Sequence, residues 1–309
     1  AIVGCAVVVV LLFGAITTDQ ERSIASLVDV LESRVGEKTA GVLLPNEKEV
    51  WQVSRELALR LQNKESELTP EELVTVTARL SALMRRYGAS SSGLSEMGRK
   101  QMRFVMRALA LTGAAQAVTP IAAMLDDQDA STRREALTNL VLLRDLPQVH
   151  QALPRMIGAL QDHNSVVRAT ACVSISTVAG ESDAAAVEAL GRAYFDEDRE
   201  VRWNAALALA RLGSPKGRSL LLDMLDREYW EKHVRVRIET GTGSFNEYVM
   251  PPQAVDRYLA ATIEAASHLY DEQVWDQIVA LEADRSPEVK NAVRKVLERR
   301  KTIVPGERQ

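Results

Sequence analysis

The side chains with the greatest chemical potential are dispersed along this 309-residue sequence. Its four histidines, which could act in catalysis or bind a metal, are His150, His163, His233 and His268. None has the H-x-x-x-H or Cys/His spacing of a metal site, and no phosphate-binding, dinucleotide-binding or nucleophile-elbow motif is present. The Gly-Thr-Gly-Ser run at 241–244 is too short to cradle a phosphate. We therefore expect no catalytic residue, no metal site and no cofactor.

One segment gathers the side chains best suited to contact another protein. It combines four of the aromatic residues of a chain that is only 5% aromatic with two arginines, and this composition is typical of interface anchors. The residues that we expect to contact a partner are Tyr229, Trp230, Arg235, Arg237, Phe245 and Tyr248. A second interpretation, equally open, is that the aromatic rings only seal this segment onto its own domain.

The same segment departs from the helical pattern on either side of it. Residues 233–239 alternate between polar and apolar side chains, which is the period of a β-strand. A glycine-containing turn follows at 241–244, and the chain can return as a second strand before Pro251 and Pro252 end it. We predict a small β-hairpin over residues 231–252, inserted within a helical repeat. Such insertions often lie on the binding face of repeat proteins.

A short pattern recurs in the second half of the sequence, in copies about 35 residues apart. In each copy an Asp is followed six residues later by an Arg and, three residues further on, by an Ala. The three copies are Asp127, Arg133 and Ala136; Asp162, Arg168 and Ala171; and Asp196, Arg202 and Ala205. A later, looser copy begins at Asp284. Repetition at this period predicts helical hairpins that stack on one another and share a continuous core.

These windows resemble the HEAT repeat, in the short form related to phycobilisome-lyase HEAT-like repeats. The family's order of Asp, Val-Arg and a small residue is matched by Asp162, Val167, Arg168 and Ala171. The resemblance covers about residues 96–300, with the hairpin as an interruption. It implies an all-α fold, namely a right-handed α-solenoid of HEAT-like helical hairpins. To this fold the strand period adds a small inserted β-hairpin, and the uncharged N-terminal stretch adds a transmembrane helix. The resemblance also implies an Asp–Arg ladder between neighbouring repeats, in which these residues are structural rather than catalytic.

The N-terminal residues 1–18 contain no charged side chain, and Asp19 carries the first charge. As a helix they would extend roughly 27 Å, close to the hydrocarbon thickness of a bilayer. A removable signal peptide is the alternative, although no clear A-x-A cleavage site is present. We predict a single-pass membrane protein. Because residues 17–22 are not basic, we expect the body on the extracytoplasmic side, which is periplasmic at the inner membrane if the source is a bacterium.

The region after residues 1–18 begins with helices rather than repeats. Apolar residues recur on one helical face from Ile24 onward, and Thr69, Pro70 and Glu72 form the signature of a capped helix start. The predicted organisation is a transmembrane helix at 1–18, a helical membrane-proximal stalk or adaptor at 19–95, HEAT-like repeats at 96–230, the β-hairpin at 231–252, and final HEAT-like repeats with a basic C-terminal tail at 253–309.

Charge restricts the class of partner. The chain has 38 Lys and Arg against 42 Asp and Glu, a net charge of −4, which argues against a nucleic-acid partner. We expect a membrane-anchored, non-catalytic scaffold or interaction subunit of a larger membrane complex, which could be respiratory or photosynthetic. Its partners would be proteins of that complex, and residues 1–18 would contact the lipid bilayer. The main alternative is an assembly factor or chromophore-lyase-like protein acting on such a complex. A signalling receptor or mechanical linker with residues 19–88 as its stalk is a third possibility.

Overall fold

The computed structural model describes residues 23–34, 47–63, 68–181, 183–239 and 245–303. These residues are helical except for the connecting turns and one pair of short strands. The predicted all-α class with a small β-hairpin is therefore confirmed for the described part of the chain.

Several of the expectations fall at least partly outside these residues, including the membrane-proximal region at 19–95, of which residues 19–22, 35–46 and 64–67 are not described. They also concern the membrane helix at 1–18, the turn at 241–244 and the end of the basic tail at 304–309. Within the described ranges, no helix combines the length and the apolar character needed to cross a bilayer.

The described residues contain fourteen α-helices, connected in several places by short 3-10 helices. The helices are α1 (Ile24–Arg34), α2 (Glu47–Gln62), α3 (Pro70–Ser90), α4 (Glu96–Leu111), α5 (Val118–Ala123), α6 (Ala130–Leu142), α7 (Leu153–Gly158), α8 (Ser165–Val178), α9 (Ala184–Ala193), α10 (Arg199–Arg211), α11 (Arg218–Met224), α12 (Pro252–Ala266), α13 (Glu272–Ala280) and α14 (Pro287–Ile303). The strands are β1 (Arg235–Glu239) and β2 (Phe245–Val249).

The start of α3 shows how local sequence sets a helix boundary. The Thr69 hydroxyl accepts a hydrogen bond from the backbone N–H of Glu72, and the Glu72 carboxylate accepts one from the backbone N–H of Thr69 at 2.8 Å. Pro70 occupies the first helical position, where its missing N–H removes no helical hydrogen bond. This capping box, predicted from the sequence, is confirmed.

The first compact unit extends to Ala152. Within it α1 pairs with α2, α3 with α4, and α5 with α6, while the second helices α2, α4 and α6 pack side by side. Leu31, Leu57, Leu80 and Met106 are fully buried in its core. The boundary predicted at residue 95 therefore does not separate compact units, because α2 packs directly against α4.

The second compact unit begins at Leu153. Helix α7 pairs with α8, α9 with α10, and α11 with α12, and the second helices α8, α10, α12 and α14 pack in a row. The two strands lie between α11 and α12, so the predicted insertion of a hairpin into one repeat is confirmed. They pair antiparallel, with Arg235 opposite Val249 and Glu239 opposite Phe245.

The repeated Asp and Arg residues build the turn that leads into each second helix. In three copies the Arg guanidinium donates a hydrogen bond of 2.8 Å to the main-chain carbonyl of the Asp six residues earlier, and the pairs are Arg133 with Asp127, Arg168 with Asp162, and Arg202 with Asp196. Each of these Asp carboxylates also accepts from the backbone N–H two residues later. The same carboxylate turn recurs at Asp284. These contacts fit the structural role that the sequence pattern predicts.

Candidate functional site

An aromatic cluster joins the inserted hairpin to the helices. Trp230 stacks on Tyr258, with ring centroids 4.7 Å apart and an interplanar angle of 20°, and its centroid lies 4.8 Å from that of Trp203. The Trp203 indole N–H donates to the Tyr229 hydroxyl at 3.0 Å. These contacts connect α10, the turn before β1 and α12, so the aromatic residues position the hairpin on its unit.

Trp230 does not offer a contact surface. Its side chain is 0% exposed, and its indole N–H donates to the main-chain carbonyl of Met224 at 2.8 Å. The expectation that Trp230 itself contacts a partner does not fit this position, because a fully buried ring has no surface to present. For Trp230 the structure matches the second interpretation, in which the aromatic rings seal the hairpin onto its domain.

The exposed side chains that the structure describes on the two strands of the hairpin are those of residues 246–249 on β2 and Arg235 on β1. The Tyr248 side chain is 47% exposed, and its neighbour Val249 and the opposing Arg235 are exposed as well. On the helix side, Arg199 lies over the Trp203 ring at 4.8 Å and donates to the main-chain carbonyl of Arg235 at 2.8 Å. Because side chains alternate along a strand, Arg235 shares a face of the hairpin with Val249, whereas Tyr248 lies on the other face.

The remaining two predicted contact residues lie on the strands themselves. Arg237 is on β1 and pairs in register with Glu247, and Phe245 is the first residue of β2. The six residues predicted from the sequence therefore do not form one surface: Tyr229 and Trp230 belong to the aromatic cluster, whereas Arg235 and Tyr248 are exposed on the hairpin.

A second surface, which the sequence interpretation missed, lies in the first compact unit. It is a groove of about 540 Å³ between the second helices α2, α4 and α6, and we call it the basic groove. Its lining residues are Trp51, Arg55, Ala58, Leu59 and Gln62 from α2, Lys100, Arg103, Phe104 and Arg107 from α4, and Glu135 from α6. Four cationic side chains and one carboxylate thus surround an apolar floor.

Two of the four cations in the basic groove are neutralised by acidic residues at its rim. Arg103 donates to the Asp129 carboxylate at 3.0 Å, and the Lys100 ammonium lies 2.8 Å from Glu96. Asp129 also caps α6 by accepting from the backbone N–H of Thr132 at 2.9 Å. Burial by itself raises the pKa of Asp129, but the hydrogen bonds from Thr132 and the positive charge of Arg103 outweigh it, so the pKa lies below its ordinary value.

The other two cations of the groove, Arg55 and Arg107, have no ion-pair partner within the described residues. Arg55 lies over the Trp51 ring, 6.0 Å from its centroid. The Trp51 ring in turn meets Phe104 edge to face, with centroids 6.2 Å apart. The Leu59 side chain is 43% exposed. The basic groove therefore offers two uncompensated guanidinium groups beside exposed apolar surface.

The sequence does contain a signal for the basic groove. The core stripe of α2 runs through Val50, Val53 and Leu57, whereas Trp51 and Leu59 lie off that stripe, where solvent-facing residues are expected. Single apolar residues outside the core stripe are common, but a contiguous apolar patch indicates a contact surface, and here Trp51 and Leu59 line one groove together with Phe104. The four cations from two helices become a cluster only when α2 packs on α4.

Other chemically reactive groups do not assemble in the described ranges. No group of three or more His, Cys, Asp and Glu side chains there has the arrangement to hold a metal ion. Cys172 is fully buried on α8, and burial raises the pKa of its thiol to about 12. A thiol with such a pKa stays protonated near neutral pH.

Comparisons with known proteins match the repeated region. A model of HEAT repeats matches residues 159–237. A search of curated protein sequences finds no match. Solved structures that match include the YibA protein of Escherichia coli, with 15% identity, a TM-score of 0.47, and coverage of 92% of this chain and 96% of that one.

Two further similar structures are a designed armadillo repeat protein for modular peptide recognition and human deoxyhypusine hydroxylase in complex with glycerol. The first has 17% identity and a TM-score of 0.37, covering 79% of this chain and 98% of that one. The second has 12% identity and a TM-score of 0.31, and the match covers 83% of this chain and 99% of that one. The match to the HEAT-repeat model covers about a quarter of the chain, and the Asp–Arg turns at Arg168 and Arg202 lie within it.

Proposed function

We propose that this chain is a non-catalytic scaffold or interaction subunit that binds a protein partner through its helical repeats. The observation that supports it most directly is the basic groove, where two guanidinium groups without ion-pair partners in the described chain lie beside the exposed Leu59 and the partly buried Trp51 and Phe104. Interface anchors have this composition. Rows of packed helices are also suited to this role, because they present an extended and rigid surface.

We further propose that residues 1–18 anchor the chain in a bilayer and that its partner belongs to a membrane complex, with the body on the extracytoplasmic side. The support is the uncharged composition and the length of this stretch. The test measures membrane association by cell fractionation. A double variant, Val9→Arg with Leu12→Arg, places two arginines in the middle of the stretch, and the control variant Thr18→Arg places one at its end. We expect only the double variant to leave the membrane fraction, because charge is most costly at the centre of a bilayer. Equal membrane association of both variants would contradict the anchor.

The role as a permanent subunit is tested by stoichiometry. The tagged full chain is expressed in its native host, extracted in a mild detergent, and quantified by mass spectrometry together with the proteins that co-elute. A scaffold subunit stays at a fixed ratio to its partner in the mature complex. Presence only in immature material would instead favour the alternative, an assembly factor or chromophore-lyase-like protein. Absence of any co-eluting protein would contradict the scaffold proposal.

A further inference from the structure

We propose that the basic groove binds a short acidic segment of the partner, with carboxylates on Arg55 and Arg107 and an apolar side chain beside Leu59. The inference rests on the proposed function and adds the chemistry of the partner to it. It starts from the charge of the groove, whose lining has four cations and one carboxylate in a chain of net charge −4.

The arrangement of ion pairs leaves a defined pair of free charges. Arg103 and Lys100 are already paired with rim carboxylates, and the Arg103–Asp129 pair also fixes the start of α6. Arg55 and Arg107 come from two neighbouring helices, α2 and α4, and neither has an acidic partner in the described chain. Guanidinium groups bind carboxylates with directional, charge-assisted hydrogen bonds. A ligand with two carboxylates supplies the missing counter-charges.

The apolar part of the groove indicates that the ligand is more than a small anion. Ala58, Leu59 and Phe104 line the space between the cations, and Leu59 keeps 43% of its side-chain surface exposed. Packed helices lie about 8–10 Å apart, so three helices extend over about 20 Å, the length of roughly six residues of extended chain. An acidic segment with alternating apolar residues matches both the charge and this length.

The aromatic residues favour a peptide over single-stranded nucleic acid. Nucleic-acid grooves use free ring faces on which successive bases stack. Here Trp51 and Phe104 pack edge to face on each other, and the Arg55 guanidinium lies over the Trp51 ring. The net negative charge of the chain also opposes a polyanion that extends beyond the groove.

The test uses fluorescence anisotropy of the purified full chain with three labelled probes. The first is a ten-residue peptide of alternating Glu and Leu, the second has Lys in place of Glu, and the third is a ten-nucleotide oligothymidylate. We expect only the Glu peptide to bind, with an affinity that falls by about tenfold or more as NaCl rises from about 50 to about 500 mM. Equal binding of the Lys peptide, or tighter binding of the oligonucleotide, would overturn the proposal.

Two groove variants locate the binding. Arg55→Gln with Arg107→Gln removes the free charges, and we expect about tenfold weaker binding of the Glu peptide. Leu59→Ser removes apolar contact, and we expect about threefold to tenfold weaker binding. The matched control is Arg85→Gln with Arg134→Gln, which removes two exposed arginines of the same unit that do not line the groove. The affinity of this control variant for the Glu peptide should equal that of the parent chain.

Failure of this inference can be told apart from failure of the proposed function. If the Glu peptide binds the groove double variant as tightly as the parent chain, the basic groove is not its site. If the partner co-elutes at the same ratio with the groove double variant and the parent chain, the groove assignment is wrong while the scaffold role stands. Thermal unfolding of each variant within about 2 °C of the parent confirms that the fold is retained, since neither arginine has an ion-pair partner to lose.

Discussion

The guanidinium of Arg168 on α8 donates two hydrogen bonds of 2.8 Å each to the carboxylate of Asp196, in the turn that precedes α10. The two helices belong to successive repeats, so this bidentate pair joins one repeat to the next. Only 9% of the Arg168 side chain and 12% of the Asp196 side chain are exposed. This pair is one rung of the Asp–Arg ladder that the repeat pattern implies.

We expect Asp196→Asn to lower the free energy of unfolding by about 2–4 kcal/mol, because it leaves a mostly buried guanidinium without its counter-charge. Urea denaturation followed by circular dichroism measures this change. The matched control is Glu197→Gln, since Glu197 lies 3.6 Å from the same guanidinium but is 91% exposed. Its effect should stay within about 0.5 kcal/mol. Equal losses in the two variants would contradict the assignment of the ladder to Asp196.

Three carboxylates near the starts of second helices make stability depend on pH, namely Asp129 at the cap of α6 and Asp196 and Asp284 in the repeated turns. Burial raises the pKa of Asp129, Asp196 and Asp284, but hydrogen bonds and nearby guanidinium groups outweigh it, so each folded-state pKa lies below its ordinary value. Their contribution to stability is therefore complete above the unfolded pKa, about 4, and is lost as the pH falls through the lower folded-state values. Urea unfolding between about pH 7 and pH 3 should show the free energy of unfolding fall with pH. In the Asp196→Asn variant this free energy should fall less steeply, because one of the three carboxylates is absent. A stability independent of pH below 4 would contradict this account.

Gly217 determines how closely the turn before α11 approaches α10. A Cβ atom at this position would lie 2.8 Å from the Cα of Ala206, a backbone atom that cannot move aside cheaply. We expect Gly217→Ala to destabilise the protein by about 1–3 kcal/mol. Gly158→Ala is the control, because a Cβ atom there meets nothing within 4 Å and alanine favours a helix. Thermal unfolding should show a lower melting temperature for Gly217→Ala than for Gly158→Ala. If Gly217→Ala leaves the melting temperature unchanged, the two backbones can move apart and the prediction is wrong.

Trp230→Ala tests the core position of this indole. Removing a fully buried tryptophan that stacks on Tyr258 should lower the free energy of unfolding by about 3–5 kcal/mol. Tyr248→Ala, at an exposed position of the same hairpin, should change it by less than about 1 kcal/mol. Loss of partner binding in the Trp230 variant would then reflect unfolding, so Tyr248→Ala and Arg235→Ala are the informative changes for a hairpin contact. A small effect of Trp230→Ala on stability would contradict its core role.

Local patterns in the sequence were sufficient for much of the fold. The Thr69–Glu72 capping box follows from residues within a few positions of one another, and the helical hairpins follow from a pattern that recurs about every 35 residues. The structural role of the Asp–Arg repeats is what the resemblance to the HEAT repeat implies. The interrupted repeat was recognisable as well, because residues 233–239 have the period of a strand inside a helical sequence. Periodicity reports which face of an element is apolar, and it does so without knowledge of its neighbours.

Contacts between distant residues could not be derived in this way. Arg227 binds the carboxylate of Asp284 at 2.7 Å, 57 positions away and on the far side of the inserted hairpin. The sequence likewise contains Arg55 and Arg107 but not the packing of α2 on α4 that brings both to one groove.

For the described residues, the sequence by itself determined the helical character of the chain and which segment interrupts it, because capping and hydrophobic periodicity act over a few residues. The tertiary structure alone decided which large side chains are core and which are surface: it buried Trp230 and left Leu59 partly exposed. The physical reason is that burial depends on what packs against a side chain, and in a stacked repeat that neighbour is often 30 or more residues away.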